Sequence, residues 1–360
     1  MIGARTRSKN REPVSIYPTG LFTQRGLLRM SDLPSEAPSV VQHRGGRFKP
    51  NDVWLRDRID RLLQMVPPGA NAAGGFSARP WTLLKLAALD LWIGLYLQIQ
   101  ATRFRRLVFV DLFGGSGLSP YDPREGVNLT IPGSSFVAAH RRTLTSEGAQ
   151  RPFFHQMISV DTDPNRLRAL TSIVEGCGYR SGRDFFPTLA SADEVASQLG
   201  RFLRSSGTHA VLLVDPEDLD FSWASFETIV REHDGLDVIF NHLVAGASRS
   251  MSEAAKDRFY GDSGWRGLNR EGLSSWFARR FGALRPVYEI LPIRGGAHDG
   301  SYRYDLLIGA RRTRHGSPWR DSLPRLRERL EHLDADDVRH VLRTRGRAAD
   351  GSMQRTLFEE

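Results

Sequence analysis

Three short apolar runs, each cut off by an aspartate, dominate the middle of the chain and restrict its fold more than any other feature. Leu107-Val108-Phe109-Val110 stops at Asp111, Met157-Ile158-Ser159-Val160 at Asp161, and Ala210-Val211-Leu212-Leu213-Val214 at Asp215. Phe185 to Leu189 is a further strand candidate, and Val238-Ile239-Phe240-Asn241 another. Continuous apolar runs of this length are buried on both faces, as in a parallel sheet covered by helices. Helix-period segments lie between them: Ser134 to Arg142, Asn165 to Glu175, Ala192 to Arg204, and 223–232. The last two strand candidates, Pro286–Ile293 and Tyr302–Ala310, are separated only by the turn Arg294–Gly300. That connection is too short for a crossover helix, so this pair is expected to be an antiparallel hairpin. The expected architecture is α/β: a Rossmann-like, mostly parallel seven-stranded sheet ending in an antiparallel hairpin.

Around that frame the pattern divides the 360 residues into four parts. Residues 1–50 mix Pro, Ser, Gly and Arg without a period and read as a flexible arm. Residues 51–105 read as a helical N-terminal extension. Its first helix carries Trp54, Leu55, Ile59, Leu62, Leu63 and Val66 and ends at Pro67-Pro68-Gly69; its second runs from about Trp81 to Thr102. Residues 106–316 form the sheet domain, with a helical insertion near 243–285 broken at the Gly/Trp-rich stretch 261–268. Residues 317–360 are a tail with one charged helix over Arg320–Leu333, a second over 335–344, and a polar end.

The most apolar stretch, Leu83 to Leu97, contains Lys85 and Asp90, so no membrane span is expected. The start Met1-Ile2-Gly3-Ala4-Arg5 has no apolar segment behind it, so no secretory signal is expected and the cytoplasm is the expected compartment. The single cysteine, Cys177, permits no intrachain disulfide and no multi-thiolate metal site. The net charge of +9 favours an anionic partner, nucleic acid first. However, only Lys9, Lys49, Lys85 and Lys256 are lysines, and an arginine excess of this kind can follow from GC-rich coding.

In an open parallel sheet ligands bind beyond the C-terminal strand ends, where the strand order reverses. Asp111, Asp161/Asp163 and Asp215 all stand at such ends. After Asp111 comes Leu112-Phe113-Gly114-Gly115-Ser116-Gly117, whose glycines allow a tight turn and let a ligand lie against bare backbone. The Gly-Lys-Ser/Thr ending of a phosphate loop is missing, and Pro120 breaks the G-x-G-x-x-G spacing. A carboxylate before the glycines suits a zwitterionic ligand, with the amino group of an amino-acid moiety near Asp111. A purely structural strand-to-helix turn is the alternative. Asp161 is placed to accept ribose hydroxyls, whereas Asp163, before Pro164, suits a helix cap. Asp193 is a candidate for an adenine amino group or, equally, a first-turn helix acid. Asp215 with Pro216 faces the reacting centre and is the leading catalytic candidate, able to orient or deprotonate a nucleophile. Asn241 and His242, Phe221 and Trp223 are pocket candidates whose alternative is burial. Glu217 and Asp218 read as solvated loop acids. The second proline and aromatic that grip a flipped base in amino-methylating DNA enzymes are absent, and Cys177 lies in the wrong place for cytosine-C5 chemistry. No metal site is expected.

Five parallel strands closed by an antiparallel hairpin is the plan of class I S-adenosylmethionine-dependent methyltransferases. Within that plan the chain from roughly Trp81 to Arg320 resembles the three-Cys-motif partner family. The likeness rests on Lys85, Val110 to Gly117, Pro132-Gly133-Ser134, Val160-Asp161-Thr162-Asp163-Pro164, Val214-Asp215-Pro216, and Tyr304-Asp305-Leu306-Leu307 leading to Trp319. Two departures stand out. Gly114-Gly115-Ser116-Gly117 replaces the usual Ala-Gly-Pro-Gly, and Asp215-Pro216-Glu217-Asp218 replaces Asp-Pro-Phe-Gly. The resemblance implies a methyltransferase-like fold, an S-adenosylmethionine site and a separate three-cysteine protein as partner.

The expected function is methyl transfer from S-adenosylmethionine. Gly114, Gly115 and Gly117 admit the cofactor, Asp111 lies near its amino-acid end, Phe113 is a further cofactor-binding candidate, and Asp161 and Asp193 lie at its nucleoside. Asp215, Pro216 and Asn241 lie at an acceptor for which nucleic acid fits the positive charge best, with a protein or small molecule as open alternatives. Two rivals stay open: a non-catalytic cofactor-binding subunit, and a nuclease or other basic nucleic-acid binder.

Overall fold

The polar stops of the apolar runs become one edge of a single sheet. In a computed structural model the described residues are 50–70, 72, 74–144, 150–204, 207–244, 252–299, 303–312 and 322–349. They fall in one unit, Phe48–Glu360. The arm 1–49, the sequence-expected Trp319 and the polar end 350–360 lie outside them.

Two helices come first, α1 (Pro50–Met65) and α2 (Pro80–Gln100). Strand β1 (Arg106–Asp111) follows, then the short α3 (Ser134–Ala139), β2 (Gln156–Asp161), α4 (Pro164–Gly176) and β3 (Phe185–Leu189). Next are α5 (Ala192–Leu203), β4 (Thr208–Val214), α6 (Trp223–Glu232) and β5 (Leu236–His242). The insertion supplies α7 (Glu253–Tyr260) and α8 (Arg270–Leu284), parted at the glycine/tryptophan stretch. Strands β6 (Val287–Arg294) and β7 (Arg303–Ala310) precede α9 (Ser322–Glu331) and α10 (Ala335–Ala349).

The sheet order is β6-β7-β5-β4-β1-β2-β3. Strands β1 to β5 run parallel, and β7 pairs antiparallel with both β5 and β6. That is the class I methyltransferase order, with the topological switch between β1 and β4. Alternation along the strands divides the core in two. Leu107, Phe109, Met157, Val211 and Leu213 pack under α1, α2, α3, α4, α9 and α10. Val108, Val110, Ile158, Leu212 and Val214 pack under α5, α6, α7 and α8. The two extensions expected as separate segments thus join α3 and α4 in one covering layer.

Helix α2 is the one described helix long and apolar enough to cross a membrane, but Leu83, Ala87, Trp92, Ile93 and Tyr96 are buried in the first of these cores. Its two charges have partners. Asp90 is 1% exposed and accepts from Arg141, with Arg58 at 3.7 Å. Lys85 reaches the sheet edge described below.

The helix expected from Ser134 to Arg142 ends at Ala139. Arg142 turns back to donate to the carbonyls of Ala139 and Cys177, both at 2.6 Å, and residues 142–144 pair with 150–152 as a short antiparallel ribbon. A second ribbon pairs 118–120 with 130–132. Cys177 is buried at the end of α4, where loss of water pushes its thiol up.

Candidate functional site

The loops after β1, β2 and β4 enclose a cavity of about 910 Å³ whose far wall is the start of α2. Along this helix Trp81, Thr82 and Lys85 share a face, as the three- and four-residue spacing dictates. Phe76, Ser77, Ala78 and Arg79, in the link before α2, extend that wall.

Asp111 does not stand on the cavity wall. It is fully buried, and its carboxylate accepts from Ser134 Oγ at 2.6 Å, Ser135 Oγ at 2.8 Å and the Phe113 amide at 3.1 Å. Burial pushes this carboxyl up to about 6, against the pull of those three donors. It therefore clamps the glycine turn to the start of α3, in place of the direct contact with an amino-acid moiety expected from sequence.

The three glycines divide similarly. A Cβ on Gly114 would stand 3.0 Å from Leu170 Cδ2 and Ser159 Cβ, and one on Gly117 2.9 Å from Leu170 Cδ1. Both also line the cavity, but a side chain there would crowd Leu170 of α4 and, at Gly114, Ser159 of β2 as well. Gly115 differs: its φ is +61° and a Cβ there would meet nothing within 4 Å. Its bare face opens on the cavity, while its amide donates to Asp161 Oδ2 at 3.0 Å. Phe113 lines the cavity with its ring edge-on to the buried Phe221.

Asp161 lines the cavity at the end of β2. Its Oδ1 also accepts from the Asp163 amide at 2.8 Å and meets Arg166 at 3.0 Å. Arg166 lies under the half-exposed ring of Phe76, 4.5 Å from its centroid. Asp163 caps α4 through the amides of Asn165 and Arg166, the role expected of it. Asp193, in the first turn of α5, lines the cavity, but its Oδ1 is occupied by the Ser222 amide at 3.1 Å and hydroxyl at 2.7 Å. It ties α5 to the cap of α6.

At the end of β4 both oxygens of Asp215 are held. Lys85 Nζ donates to Oδ2 at 2.5 Å and Asn241 Nδ2 to Oδ1 at 2.8 Å. Only the NH₂ end of the amide can bond to a carboxylate, so Asn241 presents its Oδ1 elsewhere. That oxygen is buried, belongs to a residue 2% exposed on the cavity wall, and has no hydrogen-bond partner among the described residues. Pro216 completes the turn, buried against the cavity. His242 leaves the site: it is stacked at 4.1 Å on Phe277 and bonded to Tyr260, and burial pushes its imidazole down to about 3. Trp223 is likewise buried.

Among the described residues the wall carries carboxylates at Asp161, Asp193, Asp215, Glu217, Asp220 and Asp299, against cations at Arg79, Lys85, Arg166 and Arg258. Asp161 and Asp215 are paired as above, and Asp193 has Arg258 at 3.9 Å. Asp299 is gripped by Arg339 of α10 at 2.8 and 3.0 Å. Glu217 and Asp220 make no ion pair with a described residue. Glu217 sits on the lip, where loss of water pushes its carboxyl up to about 7, Arg166 pulling it down and Asp215 pushing it further. No group of three or more potential metal ligands occurs among the described residues.

The sequence reading missed Lys85 as chemistry, Arg166, and the whole Phe76–Lys85 wall. The available signal was a lone cation inside an otherwise apolar helix.

No family model matches the chain, and no curated protein matches it. Among solved structures, protein LPL1258 from Legionella pneumophila aligns at 11% identity over 71% of this chain and 92% of that one, with a TM-score of 0.42. The O-methyltransferase TomG from Streptomyces achromogenes, in complex with S-adenosylmethionine, aligns at 15% identity over 73% and 91%, TM-score 0.34. Human methyltransferase-like protein 13, in complex with S-adenosylhomocysteine, aligns at 17% identity over 71% and 88%, TM-score 0.33. The architecture rests on the strand order itself.

Proposed function

We propose that this chain is an S-adenosylmethionine-dependent methyltransferase whose cofactor lies against Gly115 and Asp161 and whose acceptor lies against Asp215 and Asn241. Gly115 carries the proposal: a left-handed backbone position without a side chain, opening on a 910 Å³ cavity beside the carboxylate that ends β2. This is the switch point of the sheet, where such folds hold their nucleosides. A side chain at Gly115 would fill the space that a ligand needs.

When bound, the cofactor supplies a methyl group activated by its sulfonium. The protein contributes position. A carboxylate has about four acceptor sites, and three at Asp161 are taken, so ribose hydroxyls displace Arg166 or share with it. Lys85 and Asn241 fix Asp215 so that its carboxylate orients the acceptor, the proximity that an in-line transfer chiefly needs. The likeness to three-Cys-motif partner proteins belongs to the same proposal: Lys85 and Asp215, two of its motif residues, meet in an ion pair. A separate three-cysteine protein is the partner that this likeness suggests.

Photolabelling with methyl-tritiated S-adenosylmethionine tests the site. The expected result is label on peptides spanning 113–117 or 215–217, suppressed by excess S-adenosylhomocysteine. Label elsewhere, or none that S-adenosylhomocysteine suppresses, refutes the assignment.

A further inference from the structure

We infer that the methyl acceptor is a nitrogen that carries hydrogens, an amine or amino group, bound by Asp215 and the unpartnered Oδ1 of Asn241. The inference rests on the cofactor site proposed above and adds the class of the other substrate.

Three observations lead to it. Asn241 spends its NH₂ on Asp215, so its buried carbonyl oxygen is an acceptor without a donor among the described residues. An orphaned buried acceptor costs free energy that a ligand's N–H recovers on binding. Beside it stands Asp215, whose carboxylate also only accepts. Its two oxygens hold one donor each, from Lys85 and Asn241, and keep further acceptor sites, so this end of the cavity presents one orphaned amide oxygen beside a carboxylate with room for another donor. A nitrogen with two hydrogens can donate to both groups at once; a hydroxyl, with one hydrogen, can donate to only one.

Charge argues the same way. The chain is strongly basic overall, yet the cavity wall holds more carboxylates than cations among the described residues. Lys85 is already engaged by Asp215, and Glu217 and Asp220 make no ion pair with a described residue. An acceptor bearing a carboxylate or phosphate at its reacting end would meet these acids. An amino group is favoured by them. In the transfer the nitrogen lone pair forms the new N–C bond, the S–C bond breaks with its electron pair left on sulfur, and the surplus proton passes to water at the open mouth.

The test uses the full chain and three analogues of S-adenosylhomocysteine. Each bears, at the sulfur position, a two-carbon tether ending in an amine, a hydroxyl or a carboxylate. Calorimetric titration is expected to give the amine analogue at least tenfold tighter than the hydroxyl, with the carboxylate weakest. In Asp215→Asn the amine-to-hydroxyl ratio collapses towards one, a change that poor folding alone does not produce. Equal or tighter binding of the hydroxyl or carboxylate analogue overturns the inference while leaving the cofactor site intact. Absence of binding by all three and by S-adenosylhomocysteine itself removes the cofactor reading, and this inference with it.

Discussion

Alanine at Gly115 and at Gly117 separates packing from ligand space, because the two positions share a backbone conformation and differ in what lies beyond it. Both have positive φ, +61° and +79°. Holding an L-residue in this region costs roughly 1–2 kcal/mol. At Gly117 the added methyl also stands 2.9 Å from Leu170 Cδ1 and 3.2 Å from Ile173 Cδ1. Overpacking of that kind adds about 1–3 kcal/mol. Leu170 Cδ1 ends a flexible side chain, so the lower half of that range applies. The expected losses in urea unfolding are therefore about 2–4 kcal/mol for Gly117→Ala and about 1–2 kcal/mol for Gly115→Ala. Binding should rank the variants the other way. The Gly115→Ala methyl enters the cavity, and S-adenosylhomocysteine affinity should fall at least tenfold, about 1.4 kcal/mol. Gly117→Ala, once folded, should bind within about threefold of the parent. If Gly117→Ala is no less stable than Gly115→Ala, the packing argument fails. If Gly115→Ala binds like the parent, the cofactor does not lie where the open glycine places it.

Lys85→Met should lower methyl transfer by about two orders of magnitude, the scale of losing an orienting group, with S-adenosylhomocysteine affinity changed less than about threefold; kinetics and calorimetry on one preparation check both. Arg339 is 13% exposed and binds Glu125, Asp299 and Asp336, joining α10 to the turn before β7. Removing one partner of a mostly buried ion cluster is strongly destabilising, so Arg339→Met should cost about 2–4 kcal/mol in urea unfolding. Burial pushes the Asp237 carboxyl up to about 7, with Arg285 and Arg311 pulling against it. In the unfolded chain it titrates near 4, so between those values the folded state holds the extra proton and stability falls as pH rises. Asp237→Asn abolishes that dependence. The variant should therefore gain on the parent from pH 4 to pH 7, by on the order of 3 kcal/mol, as read from urea midpoints.

The sheet was legible because its signal is local: an apolar run, a carboxylate at its end, a helix-period segment behind it. The antiparallel closure followed from the length of one turn. Candidates at strand ends reached the cavity wall where loop geometry alone decides, as with Gly115, Asp161, Asp215 and Asn241. Asp111 shows why such reasoning stops short. Its position in the chain matches that of a ligand contact, but Ser134 and Ser135 from α3 enclose it, and nothing near Asp111 in sequence announces them. Gly114 and Gly117 do line the cavity, yet the need for glycine at both is set by Leu170 of α4, far from them in sequence. Lys85 is the longest-range case, 130 residues from Asp215. Only the packing of α2 on the sheet brings the two together. The α3 boundary was missed because Arg142 donates back to the carbonyl that ends α3, at Ala139, and to Cys177, which lies 35 residues on in sequence.

The central claim is that a nucleoside cofactor occupies the cavity over Gly115. Calorimetric titration of the purified full chain, freed of carried-over ligand, with S-adenosylhomocysteine tests it most directly, with Asp161→Ala in parallel. The account predicts one-site, micromolar binding to the parent and at least tenfold weaker binding to the variant. No heat and no thermal shift in the parent, or equal binding by the two proteins, would contradict it.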